Sequence, residues 1–487
     1  MKSISLPIKV LLISAVLSLL PVVVDVVSVD YKGSSLQAAD DDQKKKKKRR
    51  RTKLPSKKAQ KILQALQPLL EAEQWDAALL ALTPIAAPDS KFTGTDRAKM
   101  YYYQGYIYFS NEEYAKAEAA YKRLIAEPDS NDQERLGSLY SLSQLAYIRE
   151  DYRGAVNYLL EWLELEEVPS SDAYGLLSTT YYQLEEFINA QKYIDIAIEM
   201  QESQDIPIKV PLLDEEGNET GEMVETGETR KGVAKENHYL LKMALYTELK
   251  QDLAVLPIYE ILVQHYPRKR YWTQLSALYG QEDRQLDQMG ALEAAYNDRL
   301  LDKSREFTAL SQLLFMFENP RKAAKVIEDG MRQGIVKKEE KTLKAAAQYW
   351  HASRELKRAK PYYKQAANAS KEGELFIFLG QVHFSLDEFN QAEEAIKSGI
   401  KKGKLKDEAA AYMLLGQINF ENQRWESAIS SFRKCIDVAE RQYDDKKKKQ
   451  KAKKKKVQDQ ARKWVTYTEG EEERVEALKL KRKALGV

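Results

Sequence analysis

The residue types that most often carry chemistry are few in this sequence, and their spacing argues against catalysis. The four histidines, His238, His265, His351 and His383, stand far apart at no metal-ligand spacing, so each reads as part of a helical face rather than a ligand. One cysteine, Cys435, is present; it cannot close an intramolecular disulfide and reads as a buried structural thiol. No phosphate loop, dinucleotide-binding glycine pattern, Gly-x-Ser-x-Gly elbow or Cys-x-x-Cys occurs. Paired carboxylates abound, but in a chain with 74 Asp and Glu they belong to solvated helix faces. The sequence therefore predicts no enzyme, no cofactor, no bound metal and no small-molecule substrate. What does recur is an amide with an aromatic ring three residues on. Gln144, Gln312, Gln348, Gln381 and Gln417 hold one register, and Phe109, Tyr147, Tyr182, Phe315, Phe384 and Phe420 the other. An amide can pair with a peptide backbone and a ring can pack its side chains, so the pattern suits an extended peptide.

Such registers have to be held by short amphipathic helices repeated in space. From Ala409 to Cys435 the chain reads as two of them joined by a tight turn, with Tyr412, Leu415 and Gly416 on one face of the first and Trp425, Ala428, Phe432 and Cys435 along the second. One such hairpin cannot bury both stripes alone and needs copies on either side. The small residue near the start of the second helix recurs backward from Ala428 as Ala392, Ala359, Ala323, Gln288, Val255, Ala190, Ala155, Ala117 and Ala78. A bulky residue often precedes it by three, as at Trp425, Phe389, Leu356, Phe187, Tyr152, Tyr114 and Trp75; the small residue lets two helices approach while the ring plugs the space beside the turn. This resembles the tetratricopeptide repeat, with about ten copies over most of residues 59–440. The expected fold is all-α, a right-handed superhelical solenoid of about ten helical hairpins with a small β-hairpin insertion. In such a solenoid the first helices line a concave groove, and repeats of this kind favour amides and aromatics there whether or not a particular peptide is bound. Read as a groove, the partner-binding candidates are Tyr102, Tyr106, Phe109, Gln144, Tyr147 and Tyr182, then Phe315, Gln348, Gln381, Phe384, Gln417 and Phe420. Repeat two stands out, because Tyr101, Tyr102, Tyr103, Tyr106, Tyr108 and Phe109 surround one helix; a helix aromatic on every side must bury more than one face or offer one to a partner.

Length and charge fit this organisation. A solenoid of ten repeats uses most of 487 residues as one quasi-linear body. The net charge of +3 conceals two basic tracts, Lys44–Arg51 and Lys446–Lys456, against a remainder with more acidic than basic residues. The tracts lack interleaved aromatics and base-reading motifs, which argues against nucleic acid and leaves an anionic surface as their contact. At the N-terminus Lys2 and Lys9 precede an apolar run from Val10 to Val24, short for a spanning helix and suited to a secretory signal. Export to the periplasm is the leading expectation, and an anchor in the inner membrane facing the periplasm the alternative. The expected organisation is a signal or anchor over 1–39, a basic disordered linker over 40–58, repeats one to four over 59–200, an insertion over 201–235, repeats five to ten over 236–440, and a lysine-rich segment with a capping helix over 441–487. Within the insertion Ile206, Ile208, Val210 and Leu212 alternate with Pro207, Lys209 and Pro211, which reads as a protruding β-hairpin or as a loop.

A narrower resemblance covers Asn237 to Gly416. It rests on Tyr239-Leu240-Leu241 with Ala244-Leu245-Tyr246, on Tyr266-Pro267, on Tyr271-Trp272-x-Gln274-Leu275-Ser276 with Tyr279-Gly280, on Ala291-Leu292-Glu293-Ala294-Ala295-Tyr296, on Lys322-Ala323-Ala324-Lys325-Val326-Ile327-Glu328 and on Gly373-Glu374-Leu375. These blocks are similar to the periplasmic tetratricopeptide proteins that accompany TonB energy-transducing systems in some Gram-negative bacteria. The resemblance implies a non-enzymatic role beside TonB-, ExbB- and ExbD-type components in uptake of iron carriers across the outer membrane. A proline-rich extended segment of such a component is the ligand class the groove would suit. Scaffolding of another envelope assembly, or binding of anionic membrane or nucleic acid by the lysine tracts, are the alternatives.

Overall fold

The computed structural model describes residues 53–485, apart from 88–90, 215, 217 and 445. The signal or anchor expected over 1–39 and the tract Lys44–Arg51 lie outside these residues. The chain forms two compact units, Met1–Tyr266 and Pro267–Val487. In the first, helices α1 (Lys57–Glu71), α2 (Trp75–Ala86), α3 (Gly94–Ser110), α4 (Tyr114–Ala126), α5 (Asp132–Ile148), α6 (Tyr152–Leu165), α7 (Ser171–Gln183) and α8 (Phe187–Glu202) pair as four hairpins. Strands β1 (Asp205–Leu213) and β2 (Glu219–Lys231) follow, then the hairpin of α9 (Glu236–Glu248) and α10 (Leu256–His265). The second unit holds α11 (Lys269–Gln281), α12 (Gln285–Asn297), α13 (Ser304–Met316), α14 (Pro320–Arg332), α15 (Glu340–Ala352), α16 (Leu356–Ala369), α17 (Glu374–Phe384), α18 (Phe389–Lys402), α19 (Glu408–Glu421) and α20 (Trp425–Gln442), five hairpins more, and a long terminal helix, α21 (Lys448–Leu485).

Each hairpin turns by the same device. A non-glycine residue takes the left-handed conformation between the two helices, as at Glu73, Glu112, Glu150, Glu185, Lys250, Asp283, Glu318, Arg354, Asp387 and Gln423. The next N–H then reaches back five residues, for example Asp151 N–H to Ala146 O at 2.9 Å and Arg424 N–H to Asn419 O at 2.8 Å, which satisfies a carbonyl orphaned at the helix end. The small anchors sit where the two helices touch: Ala78, Ala117, Ala155, Ala190, Ala323, Ala359, Ala392 and Ala428 are fully buried. Opposite them, Gly105, Gly380 and Gly416 leave room for Tyr121, Ile396 and Phe432; a Cβ on Gly416 would meet the Phe432 ring at 2.4 Å. The two atypical anchors have local causes. Val255 lies in a 3₁₀ turn over Asp252–Val255 before α10, whose first turn carries Pro257 with its preset φ. Gln288 packs its amide beside Gly280, where a Cβ would lie 2.6 Å from Nε2.

The insertion is an antiparallel β-hairpin in which Val210 faces Val224 and Pro211 faces Met223. Two Thr-Gly units interrupt β2. Thr220 and Thr226 donate their hydroxyls to Leu212 O and Ile208 O on β1, and accept from the N–H of Glu222 and Glu228. Gly221 and Gly227 between them have φ of +85° and +82°, which only glycine adopts without strain. The tract Lys446–Lys456 lies largely in the first turns of α21. Two of its lysines pair with the last hairpin, Lys453 with Asp407 at 2.6 Å and Lys454 with Glu440 at 2.5 Å. One turn on, Val457 and Ala461 join Cys435, Val438, Ala439 and Tyr443 in a cluster, so α21 covers the apolar face that a last repeat leaves bare. α1 likewise starts inside the stretch expected to be a linker, because Ser56 accepts from the Ala59 N–H and caps it.

Candidate functional site

The candidate residues sit on first helices, and the turn geometry decides what their rings touch. Because the left-handed residue folds the second helix straight back, its opening ring lands beside the last ring of the first helix. Phe109 meets Tyr114 at 5.9 Å between centroids, Tyr147 meets Tyr152 at 5.3 Å, and Tyr182 meets Phe187 at 5.6 Å. In the second unit Phe384 meets Phe389 at 6.0 Å and Phe420 meets Trp425 at 5.3 Å. All five pairs are edge-on or tilted, the favourable aromatic geometry. The aromatic register therefore has a structural duty in each hairpin, and a spacing of five residues between two recurring rings was the signal for it in the sequence.

Burial then separates the candidates. Gln144 and Tyr147 are only 4% and 7% exposed, so neither offers a partner much surface, contrary to their assignment to an open groove. The cause is close packing of α5 on its neighbours: the Tyr147 hydroxyl is hydrogen-bonded with the Gln183 side chain, and burial pushes its pKa up to about 12. Phe420 is half-buried, and its ring is partly covered by a later helix. Trp464 and Tyr467 of α21 close over it at 5.4 Å each, while Trp464 stacks on Phe432 at 5.5 Å. Phe384, Gln381 and Gln417 are half-buried, Gln348 is exposed, and Phe315 is 40% exposed with its ring 4.7 Å from Tyr349 on the next first helix. Tyr182 is half-buried and its hydroxyl donates to Glu248 at 3.3 Å.

The densest surface is α3. Tyr101, Tyr102, Tyr103, Tyr106, Tyr108 and Phe109 are all half-buried, none fully covered and none fully free. They divide between neighbours. Tyr101, Tyr103 and Tyr106 lean on the core of the first hairpin, Tyr106 with its edge to Trp75 at 6.4 Å. Tyr108 and Phe109 pack on Ala117, Tyr121, Leu142 and Leu145. Tyr102 lies against Gly137 of α5, where a Cβ would come within 3.3 Å of its ring; burial raises its pKa. A helix of this kind presents amphipathic ring edges to solvent at little entropic cost for a partner to cover.

Residues that could hold a metal or run acid–base chemistry do not converge. Among the described residues no three His, Cys, Asp or Glu side chains are grouped to bind an ion. His238 is buried against Gly175, His351 Nδ1 lies 3.2 Å from the Tyr363 hydroxyl, and His383 pairs with Glu388. Cys435 is fully buried, and burial pushes its thiol up to about 11, the opposite of an activated nucleophile. No described helix is long and apolar enough to cross a membrane. The blocks that carry the narrower resemblance fall mainly on core positions: Tyr239, Tyr271, Leu275, Tyr279, Leu292 and Ile327 are buried. The Tyr239 hydroxyl also donates to Glu202 while accepting from the Ala234 N–H.

The tetratricopeptide-repeat profile matches residues 66–132 and 379–444. Among solved structures, a tetratricopeptide repeat protein from Parabacteroides merdae is similar at 12% identity, over 60% of this chain and 99% of that one, with a TM-score of 0.33. The C-terminal part of a repeat-containing protein from Cytophaga hutchinsonii is similar at 14% identity, over 56% and 98%, with a TM-score of 0.27. The TPR2AB domain of yeast Sti1 is similar at 13% identity, over 59% and 98%, with a TM-score of 0.29. No curated protein matches the sequence. The profile matches two stretches near the ends, and the same hairpin, anchor and turn recur between them, so the chain has the repeated helical-hairpin architecture of a tetratricopeptide solenoid.

Proposed function

We propose that this protein is a non-enzymatic scaffold that binds an extended segment of a partner protein on the aromatic surface of its first helices. We further propose that it works in the periplasm as an accessory of a TonB–ExbB–ExbD system for uptake of iron carriers. The observation that carries the binding role is α3, where six rings remain half-exposed on one helix. A soluble helix gains nothing by leaving so much ring surface wet, whereas a partner chain would gain from covering it. Proline-rich segments fit best, since they are already extended and dock on aromatics with little loss of entropy. The TonB assignment is supported by the blocks from Asn237 to Gly416; since these are mainly core residues, they bear on kinship and not on the contact itself. The periplasmic assignment is supported by the basic, apolar N-terminal pattern from Lys2 to Val24.

The test is photo-crosslinking in intact cells from positions 102 and 106, with identification of the captured protein. A TonB-, ExbB- or ExbD-type component is the expected product. Capture of a different envelope machine from both positions would refute the TonB role and leave the scaffold; no capture from either would remove α3 as the binding surface.

A further inference from the structure

The second unit contains a cleft on its second helices, the face that the aromatic register does not use. It has a volume of about 1120 Å³ and is walled by α12, α14 and α16 with the loops after α12 and α14. Its floor is apolar, made by Leu301, Phe307 and Met331, all buried. Five cationic side chains line it, Arg299, Lys325, Arg332, Lys338 and Arg358, against two carboxylates, Glu328 and Asp329. Yet the chain outside its two lysine tracts carries more acidic than basic residues, so this cleft runs against the charge of the surrounding body.

The two carboxylates are already engaged. Glu328 accepts from the Tyr362 hydroxyl at 2.7 Å and pairs with Arg358 at 3.1 Å. Asp329 accepts from the Tyr296 hydroxyl at 3.2 Å and from Gln333 Nε2 at 2.8 Å, and pairs with Arg332. Arg358 is held further by the Trp350 ring, 3.8 Å from its guanidinium carbon. These contacts make fixed walls and neutralise both acids. Arg299, Lys325 and Lys338, by contrast, are exposed and make no ion pair among the described residues.

We propose that this cleft binds an acidic, extended segment of a partner protein. Its apolar floor takes aliphatic side chains of that segment, and the three free cations pair with carboxylates spaced along it. An extended chain is favoured over a small anion because the volume is above the ordinary range for small-molecule pockets, and the cations stand on separate elements instead of converging on one point. No phosphate-cradling glycine loop occurs in the sequence either.

The test uses the full chain and a fluorescein-labelled decapeptide of alternating Glu and Leu, followed by anisotropy, with the Lys-Leu decapeptide and inorganic phosphate as the other arms. The wild type should bind the acidic peptide and lose it as salt rises. The triple variant Arg299→Gln, Lys325→Gln, Lys338→Gln should bind it at least about tenfold more weakly with unchanged helix content and melting. Should the triple variant fold poorly, Lys325→Gln and Lys338→Gln, both at exposed positions, should each weaken binding severalfold. Absence of binding by the wild type, binding retained by these variants, binding lost only when Lys44–Arg51 is deleted, or phosphate competing at equal charge concentration would each overturn the proposal. None of these results depends on crosslinking from α3, so this inference and the TonB assignment can fail separately.

Discussion

Replacing Tyr147 by alanine separates a binding role from a packing role in the aromatic register. The ring is 7% exposed and rests 5.3 Å from Tyr152, and its hydroxyl is hydrogen-bonded with Gln183. Burying about 150 Å² of ring at about 25 cal/mol per Å² corresponds to roughly 4 kcal/mol, within the range of about 3–5 kcal/mol for truncating a core aromatic. Tyr147→Phe keeps the ring and loses only the hydroxyl contact, which should cost about 1 kcal/mol. Because repeats are stabilised mainly by their neighbours, the loss should be local, with α5 and α6 opening first. Urea unfolding by circular dichroism measures the total, and amide exchange locates it. A binding defect in Tyr147→Ala would then report damaged packing, and the half-exposed Tyr102 and Tyr106 are the sound positions for a binding test. If Tyr147→Ala costs less than about 1 kcal/mol with an unchanged denaturant slope, the ring is not held in the core and the packing argument fails.

Two further outcomes follow from buried neighbours. His238 is 4% exposed, its Nδ1 lacks a hydrogen-bond partner, and burial holds its pKa down to about 4. The folded state therefore resists a proton that the unfolded chain accepts below its ordinary value of 6.5, so stability should fall between pH 6.5 and 4, by roughly 3 kcal/mol at most. His238→Gln should flatten this pH dependence in thermal melts; an equal slope in both proteins would mean that other groups cause it. Gly416→Ala would place a Cβ 2.4 Å from the Phe432 ring, which is fully buried and stacked on Trp464, and overpacking of this kind costs about 1–3 kcal/mol. The melting temperature should drop and exchange in α21 should rise, and a variant as stable as the parent would show that the hairpin can open to accept a methyl group.

The repeated hairpin was legible in the sequence because local rules specify it. Alanines at a period of thirty-odd residues, rings three places before them and apolar stripes at helical spacing all act within one or two turns of chain, so each repeat states the same structure again. Even Val255 and Gln288, which break the small-residue rule, kept their hairpins because the neighbouring repeats supply the rest of the pattern. Alternation in Ile206, Ile208, Val210 and Leu212 marked the β1 face, whereas its partner strand was hidden: β2 is polar and twice bent by Thr-Gly bulges, so it carries no period-two signal. The sequence also showed which positions are amide and which aromatic. It could not show which of them stay accessible, because exposure depends on how far a neighbour leans over. Gln144 and Tyr147 are covered by packing around α5, Phe420 is partly covered by α21, and the rings of α3 are left half open. The lysine tract before Val457 took a helical form for the same reason, since Asp407 and Glu440 are brought beside it only when α21 folds back on α20. The cationic cleft depended most on tertiary structure. Arg299, Lys325 and Lys338 belong to different elements, and nothing in their spacing marks them until the Tyr362 and Arg358 contacts to Glu328, and the Tyr296 and Arg332 contacts to Asp329, neutralise the acids between them.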